Sequence, residues 1–516
     1  MVKPKKKVLG LSLALMLGLG GLAACSNESA SNNNEGSKGS NDSKEKEEVV
    51  VEPAKFTIMA NLHTPEVPSD KIEKIIEEKT GADITIQWTP DSNYEEKLST
   101  SFATGTFPEA VFMKNITTFL QFKEAIRDGQ FWEIGPYLDE FPNLKKLNET
   151  VLDNTKVDGK LYTLYQGRPL SRQGLIYRKD WAEKLGLPEP TNVEEFREMA
   201  RAFTEDDPDG NGKNDTFGLT DRSDLIYGAF KTVASWHNTP NGWGEKDGQL
   251  LPEFMFDEYV DTMDFFKDLR DNGYINQDFP VTSKEDQQAF LKNGTAGMYV
   301  GSMHDVQSLY NDAVKINPDI QLDVQNKIVG PDGEYRVWSL PGYGTVVMFP
   351  KSAVKDEAQL KGILAFFDKL VTPEVSNTLY WGVEGEHYTV QDGQALPSED
   401  SDLTDREVKP YQALEIGEPQ TNGRYEGLAT YEVKAKADEL VIENEQYLIH
   451  DPTNALDSPT HIEKGEILSQ LITDATYNYI LGKLDKSGFD KVVEEWKKGG
   501  GEKIIEEFNE AYSQAK

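Results

Sequence analysis

The 516-residue chain is longer than one hydrophobic core usually supports, so two domains, or one domain built as two lobes, is the expectation. Apolar residues at 37% and charged residues at 28% suit a soluble globular body, and a formal net charge of −35 sets nucleic acid and anionic lipid surfaces aside as long-range partners. The single cysteine leaves no disulfide and no cysteine metal site.

In chain order, Lys3, Lys5, Lys6 and Lys7 precede the apolar run Val8 to Leu22, which is too short to span a bilayer and reads as an export signal covering residues 1–24. Cys25 follows directly in "LAAC", which resembles the lipobox of bacterial lipoproteins, cleaved before a cysteine whose sulfur is acylated. That places the protein at the extracellular face of the cell membrane on a diacylglyceryl and palmitate anchor, and the acylated thiol is no nucleophile. Residues 25–54, rich in Ser, Asn, Glu and Lys, cannot bury enough surface to offset their ordering entropy. They form a disordered tether of roughly 30 Å root-mean-square span.

After the tether, short apolar runs alternate with helical periodicity. "KFTIMAN" is a strand, "SDKIEKIIEEKTG" a helix capped by Ser69 and stopped by Gly81, "ADITIQWT" a strand, "SNYEEKLSTSFATG" a helix and "EAVFM" a strand. This alternation predicts an α/β fold with a parallel or mixed sheet and crossover helices. Further helices are expected near Val193 to Phe203, Tyr259 to Asn272 and Lys284 to Asn293, followed by the strand "AGMYVG". A strand at "GYGTVVMF" and a helix opening near Asp356 come next, and the C-terminal part reads as mostly helical. No repeat of fixed period is present, which argues against solenoids and propellers.

"DPDGNGKNDTFGL" matches the first part of a D-x-[DN]-x-[DN]-G calcium loop. Asp207, Asp209 and Asn211 take positions 1, 3 and 5, Gly212 the turn, the Lys213 carbonyl position 7 and Asp215 position 9. Position 12, ordinarily a bidentate Glu, is Gly218, so a remaining ligand falls to Thr216, a neighbouring acid or water. Hard oxygen ligands favour Ca²⁺, in a structural role, over zinc or copper; the alternative is an Asx-rich turn without metal.

Trp236, Trp243, Tyr343, Trp381 and Tyr388 lie in segments broken by Gly, Pro or Asn, beside His237, Glu384, Glu386 and His387. Flat rings with polar neighbours suit a sugar, whose C–H faces stack while its hydroxyls form hydrogen bonds, although core packing accounts for any one ring as well. Catalytic motifs are missing: there is no G-x-S-x-G, H-E-x-x-H or P-loop, and the 6 histidines are scattered.

Together with the lipobox and the calcium loop, "ATGTFPEAVF" and "GLIYRKDWAEKLGLPEPTNVEEF" make the sequence resemble the extracellular solute-binding lipoproteins of ABC importers, in the family 1 carbohydrate-binding group. Within that group it is similar to the calcium-loop proteins that include alginate-oligosaccharide binders, which carry an acidic residue where this chain has Thr216. The resemblance implies a two-lobed, type II periplasmic-binding-protein fold with an interlobe cleft. Residues 55–168 plus 345–400 would form one lobe and 169–344 plus 401–516 the other, with crossings near Arg168 to Leu175 and Tyr343 to Val346. It implies a monomer that captures an oligosaccharide without chemistry and delivers it to membrane permease subunits. Trp236, Tyr343, Trp381 and Tyr388 are expected to stack on the ligand, with His63, Arg172, His304 and Glu384 as polar contacts. His63 and His304 follow strands, where α/β sheets place ligands, and loss of Trp236 or Trp381 is expected to weaken binding more than about tenfold. A receptor for peptides or other small solutes, and a surface-anchored glycosidase or lyase, remain the alternatives.

Overall fold

The computed structural model describes residues 54–64 and 66–515. The export signal, Cys25 and the tether up to residue 53 lie outside the described residues. No helix among the described residues is long and apolar enough to cross a membrane.

The predicted alternation opens the first lobe. Lys55–Leu62 (β1), Asp83–Pro90 (β2), Ala110–Met113 (β3) and Leu164–Gly167 (β4) are its early strands, with β1 parallel to β2 and β3. The helix Lys71–Thr80 stops at Gly81 as expected, but Asp70 rather than Ser69 stands at its N-cap. The Ser69 carbonyl instead accepts the Tyr411 hydroxyl at 2.8 Å.

The second lobe contains Gln173–Arg178 (β5), Phe217–Thr220 (β6), the hairpin Trp243–Lys246 (β7) and Gln249–Pro252 (β8), Ala296–Ser302 (β9), Leu322–Gln325 (β10) and Val337–Trp338 (β11). Its main sheet runs β10-β5-β9-β6, with β5 antiparallel to both neighbours and β6 parallel to β9. The chain then returns, and Tyr343–Met348 (β12) inserts antiparallel between β3 and β4 to give the first sheet the order β2-β1-β3-β12-β4. A hairpin of Tyr388–Gln391 (β13) and Gln394–Pro397 (β14) follows, and Leu448–Ile449 (β15) pairs with β11 in the second lobe.

Each lobe has its own core. Ile58, Val111, Phe112, Val347 and Phe367 are buried in the first; Phe196, Phe203, Trp236, Phe266 and Met298 fill the second, with Tyr479 and Ile480 added from the long helix Pro459–Ile480.

The division of the chain differs from expectation after residue 400. Residues 401–428 stay with the first lobe, because Tyr411, Leu414 and Ile416 bury in its core and Gly417 extends the β4 edge. The Gly417 N–H donates to the Tyr165 carbonyl at 2.8 Å, and the Gly167 N–H donates to the Gly417 carbonyl at 2.8 Å. Leu428 still bonds Ala395 of β14, whereas the Tyr431 ring stacks on Tyr310 of the second lobe at 3.8 Å. The chain therefore crosses three times, at 168–172, 339–342 and between Leu428 and Tyr431.

Strand direction determines what these crossings join. The C-terminal ends of β1, β3 and β4 and the start of β12 share one edge of the first sheet. The C-terminal ends of β6, β9 and β10 and the start of β5 share one edge of the second. Since residues 168–172 can span no more than about 18 Å even fully extended, the end of β4 lies close to the start of β5 and the two edges adjoin there.

Trp236 ends a helix, Ala229–Trp236, in which every residue is buried. Its ring is 0% exposed and meets Phe196 edge-on at 5.4 Å. Trp236→Ala is expected to cost about 3–5 kcal/mol of stability in chemical denaturation, with ligand affinity unchanged in the folded fraction. Trp236→Phe should cost less, because the Trp236 Nε1 has no partner to lose.

Asp221, just past β6, is 2% exposed and accepts the Ala229 N–H at 2.8 Å, holding the start of that helix. Burial pushes its carboxyl up to about 7. The native state then binds more protons than the unfolded chain between roughly pH 4 and 7, so this group's stabilisation is complete at low pH and lost as pH rises through that window. Asp221→Asn is expected to flatten the dependence of stability on pH by up to about 1.4 kcal/mol per unit in this range, measured by denaturation at pH 5, 6, 7 and 8. An unaltered slope would count against it. Asp451, raised by burial to about 6, keeps a residual slope in the variant.

Candidate functional site

The adjoining edges carry the candidate site. His63 leaves β1 with its side chain exposed; partial desolvation by the surrounding protein, with Lys409 nearby, pushes its imidazole below the ordinary value, against the opposing pull of Asp91. Lys114 leaves β3 but is already engaged, by Asp91 and Glu95, each at 3.4 Å. His304 leaves β9 and is held by Asp438 at 3.2 Å. Arg168 and Arg172 lie on the first crossing; Arg168 is exposed, and its closest partner is the Gln166 Oε1 at 3.3 Å. Sequence reasoning thus brought His63, Arg172 and His304 to the joined edges, and His304 arrives with its own carboxylate.

The loop after β6 is a feature that sequence reasoning missed. Residues 221–228 present Ile226 at 53% and Tyr227 at 45% exposure, and Tyr227 is the one aromatic among the exposed large apolar side chains of the described residues. The loop is braced from within. The Asp224 Oδ1 accepts the N–H groups of Ile226 and Tyr227 at 3.0 and 2.8 Å, and the Arg222 Nη2 donates to the Tyr227 carbonyl at 2.6 Å. The Tyr227 ring rests edge-on against Trp338 at 6.0 Å, next to the second crossing. A ring held open on a rigid loop is a platform whose ordering cost is met in advance. The strand-exit rule that selected His63 and His304 would have found it if applied to β6.

The expected stacking set is corrected. Trp236 is core, as above. Tyr343 is 5% exposed and packs edge-on against Phe119 at 6.4 Å, because its strand lies inside the first sheet. Tyr388 is 6% exposed; with Glu384 it lines a cavity of about 410 Å³ whose walls, including Lys79, Glu374, Asn377 and Tyr425, all belong to the first lobe. Trp381 is half-buried and braces the third crossing, its Nε1 donating to the Tyr425 carbonyl at 2.9 Å. These rings were drawn from Gly- and Asn-rich segments, and such segments here turn inward.

Glu386, His387 and Glu407 also cluster. The His387 Nδ1 accepts the Val383 N–H at 3.1 Å, which leaves the proton of the neutral ring on Nε2, facing Glu407 at 3.4 Å. The Lys71 ammonium pairs with both glutamates, so it already supplies the cation there.

The aspartate-rich loop follows the helix Val193–Glu205 and precedes β6. The Asp209 and Asp215 carboxylates converge on the Asn211 Nδ2 at 2.6 and 3.0 Å, and an Asp207 oxygen accepts the Gly212 N–H at 3.0 Å. The other Asp207 oxygen is buried without a partner. Converging hard oxygens with one orphan fit a Ca²⁺ ion. Thr216 does not join them: its hydroxyl donates to the Phe203 carbonyl at 2.8 Å, locking β6 to the helix. Nor has position 12 room for a glutamate, since a Cβ on Gly218 would collide with the Ala200 backbone.

Comparison with known proteins agrees with this architecture. The chain is 42% identical over 510 residues, 98% of itself and 99% of the relative, to the polygalacturonan/rhamnogalacturonan-binding protein YtcQ of Bacillus subtilis (strain 168). It is 34% identical over 526 residues, the whole of both chains, to lipoprotein LipO of the same organism. An HMO-binding, ABC-transporter-associated solute-binding protein from Bifidobacterium longum infantis ATCC 15697 shares the two-lobed α/β fold, with a TM-score of 0.68 at 17% identity, over 90% of this chain and 99% of that one. The relatives are binding proteins and not enzymes, which removes the glycosidase or lyase alternative. With residues 65–376 matching the family directly, the chain belongs to the bacterial extracellular solute-binding proteins.

Proposed function

We propose that this protein is the lipid-anchored receptor of an ABC importer, that it captures an oligosaccharide rich in uronic acids between its lobes, and that it hands the sugar unchanged to a membrane permease. The observation that carries the reading is the pair of adjoining sheet edges, which combine the exposed Tyr227 ring with the exposed Arg168 and the half-buried Arg172, neither of them paired with a carboxylate. Ring and fork suit, respectively, the C–H face and the carboxylate of a galacturonate unit. The name of the polygalacturonan/rhamnogalacturonan-binding relative supports the same chemistry. Cys25 in its lipobox, followed by the tether, supplies the anchor, and the lipoprotein relative supports that assignment. Closure follows from ligand bridging both edges, since a bound sugar favours the conformation in which both lobes touch it.

Thermal shifts with tri-galacturonate, neutral trisaccharides and tripeptides test this. A ligand at 100 times its dissociation constant adds about 2.7 kcal/mol, so a clear rise in Tm is expected with the acidic sugar alone. A response confined to peptides would instead make the protein a peptide receptor.

The second part of the proposal is a structural Ca²⁺ held by the carboxylates of Asp207, Asp209 and Asp215, the Asn211 Oδ1 and the Lys213 carbonyl, with water completing the shell. It would hold the turn between the helix Val193–Glu205 and β6, at a distance from the sugar. Chelator-treated protein is expected to bind one Ca²⁺ by calorimetry and to gain Tm, with sugar affinity little altered. Absence of binding at millimolar Ca²⁺ removes the metal.

A further inference from the structure

Cations are scarce in this chain, which carries 89 acidic and 54 basic residues, and most are already taken. Arginines elsewhere, such as Arg127, Arg178, Arg197 and Arg424, hold carboxylates in ion pairs. Among the described residues, Arg168 and Arg172 hold none. In so acidic a protein, two arginines left open on one five-residue crossing require an explanation.

The surroundings of the two side chains define what they lack. Arg168 is exposed and lies over β12 where Gly344 leaves space: a Cβ there would sit 2.8 Å from the Arg168 Nε. The nearby Glu415 feels its charge, but that carboxylate is buried and already held by the Arg424 Nε at 2.6 Å. Arg172 is half-buried, and its Nε is shut off from solvent with no acceptor. Leaving a charged donor desolvated and unmatched is costly, and a ligand carboxylate bound to the remaining N–H groups of the same guanidinium would offset part of that cost.

The backbone that carries them is rigid. Leu170, between them, is 5% exposed, and its carbonyl accepts the Leu340 N–H at 2.6 Å. The Arg168 N–H donates to the Gly342 carbonyl at 2.8 Å, and the Arg172 carbonyl accepts the Met303 N–H at 2.8 Å. The buried Asn444 Nδ2 donates to the carbonyls of Ser171 and Gln173 at 3.3 and 2.9 Å. The crossing is thus a fixed strut between the lobes, with a guanidinium at each end.

We infer that Arg168 and Arg172 are the specificity-determining residues that read ligand carboxylates, so that the floor of the hinge distinguishes uronate oligosaccharides from neutral ones. This rests on the reading of the protein as an oligosaccharide receptor and deepens it. The planar fork of arginine accepts a carboxylate through two parallel N–H···O bonds, which a lysine ammonium does not reproduce. Seated on the hinge strut, the pair engages the ligand whichever way the lobes rotate about it.

The test is calorimetric titration of the full chain, minus its export signal, with tri-galacturonate and with its fully methyl-esterified form. Wild-type protein is expected to prefer the acid. Arg168→Gln and Arg172→Gln are each expected to lose about tenfold or more in affinity for the acid and to change little toward the ester, so that the acid-to-ester ratio collapses. Arg172→Lys should recover only part of that ratio. The ratio is read within one variant, so partial unfolding, which lowers both affinities together, leaves it unmoved. A wild-type protein that binds neither sugar overturns the receptor reading and this inference with it. A wild-type protein that prefers the acid, with Gln variants that keep the same preference, overturns the arginine assignment alone.

Discussion

The five residues from Arg168 to Arg172 connect two cores that pack separately, and both lobes hold their backbone in place. Because β4 and β5 leave and enter their sheets at this point, the crossing determines which sheet edges meet. Every loop of functional interest, after β1, β3, β6 and β9, opens onto that junction as a consequence of strand direction. The second crossing runs beside it, hydrogen-bonded through the Leu340 N–H to the Leu170 carbonyl and the Arg168 N–H to the Gly342 carbonyl.

Charge is distributed against this frame in an uneven way. The surface is acidic overall, yet several acids are engaged within the fold: buried Asp221 holds the start of a helix, buried Glu415 pairs with Arg424, and half-buried Asp451 accepts the Thr453 N–H. Lys123, only 3% exposed, reaches Asp457 at 2.7 Å and links the helices after β3 to the segment leading into Pro459–Ile480. Desolvated pairs of this kind contribute little net stability, but they are costly to break and so favour one arrangement of the parts they join. Against that background the first crossing carries two arginines that hold no carboxylate.

The aromatic residues show why composition alone misplaced part of the site. "ASWHNTPNGW" reads as a broken, loop-like stretch, but Trp236 closes a helix buried on every side, whose polar residues Lys231, Thr232 and Ser235 are themselves buried. Tyr227, a less conspicuous residue in "DRSDLIYGAF", is the ring left open, and what opens it is a set of hydrogen bonds from Asp224 and Arg222 to its own backbone. In the aspartate-rich loop the spacing placed Asp207, Asp209 and Asp215 together, while Thr216 was drawn away by a carbonyl of the preceding helix.

Local pattern determined the α/β class, the strands β1, β2, β3 and β9, the helix stop at Gly81 and the turn-forming loop at 207–215, because each depends on neighbours a few residues apart. Tertiary structure decided the rest. The return of residues 401–428 to the first lobe, the inward turn of Trp236, Tyr343 and Tyr388, and the exposure of Tyr227 each depend on which distant surface a segment buries against. Whether a ring or a charge is already partnered is a property of contacts across hundreds of residues, and no periodicity within the chain records it.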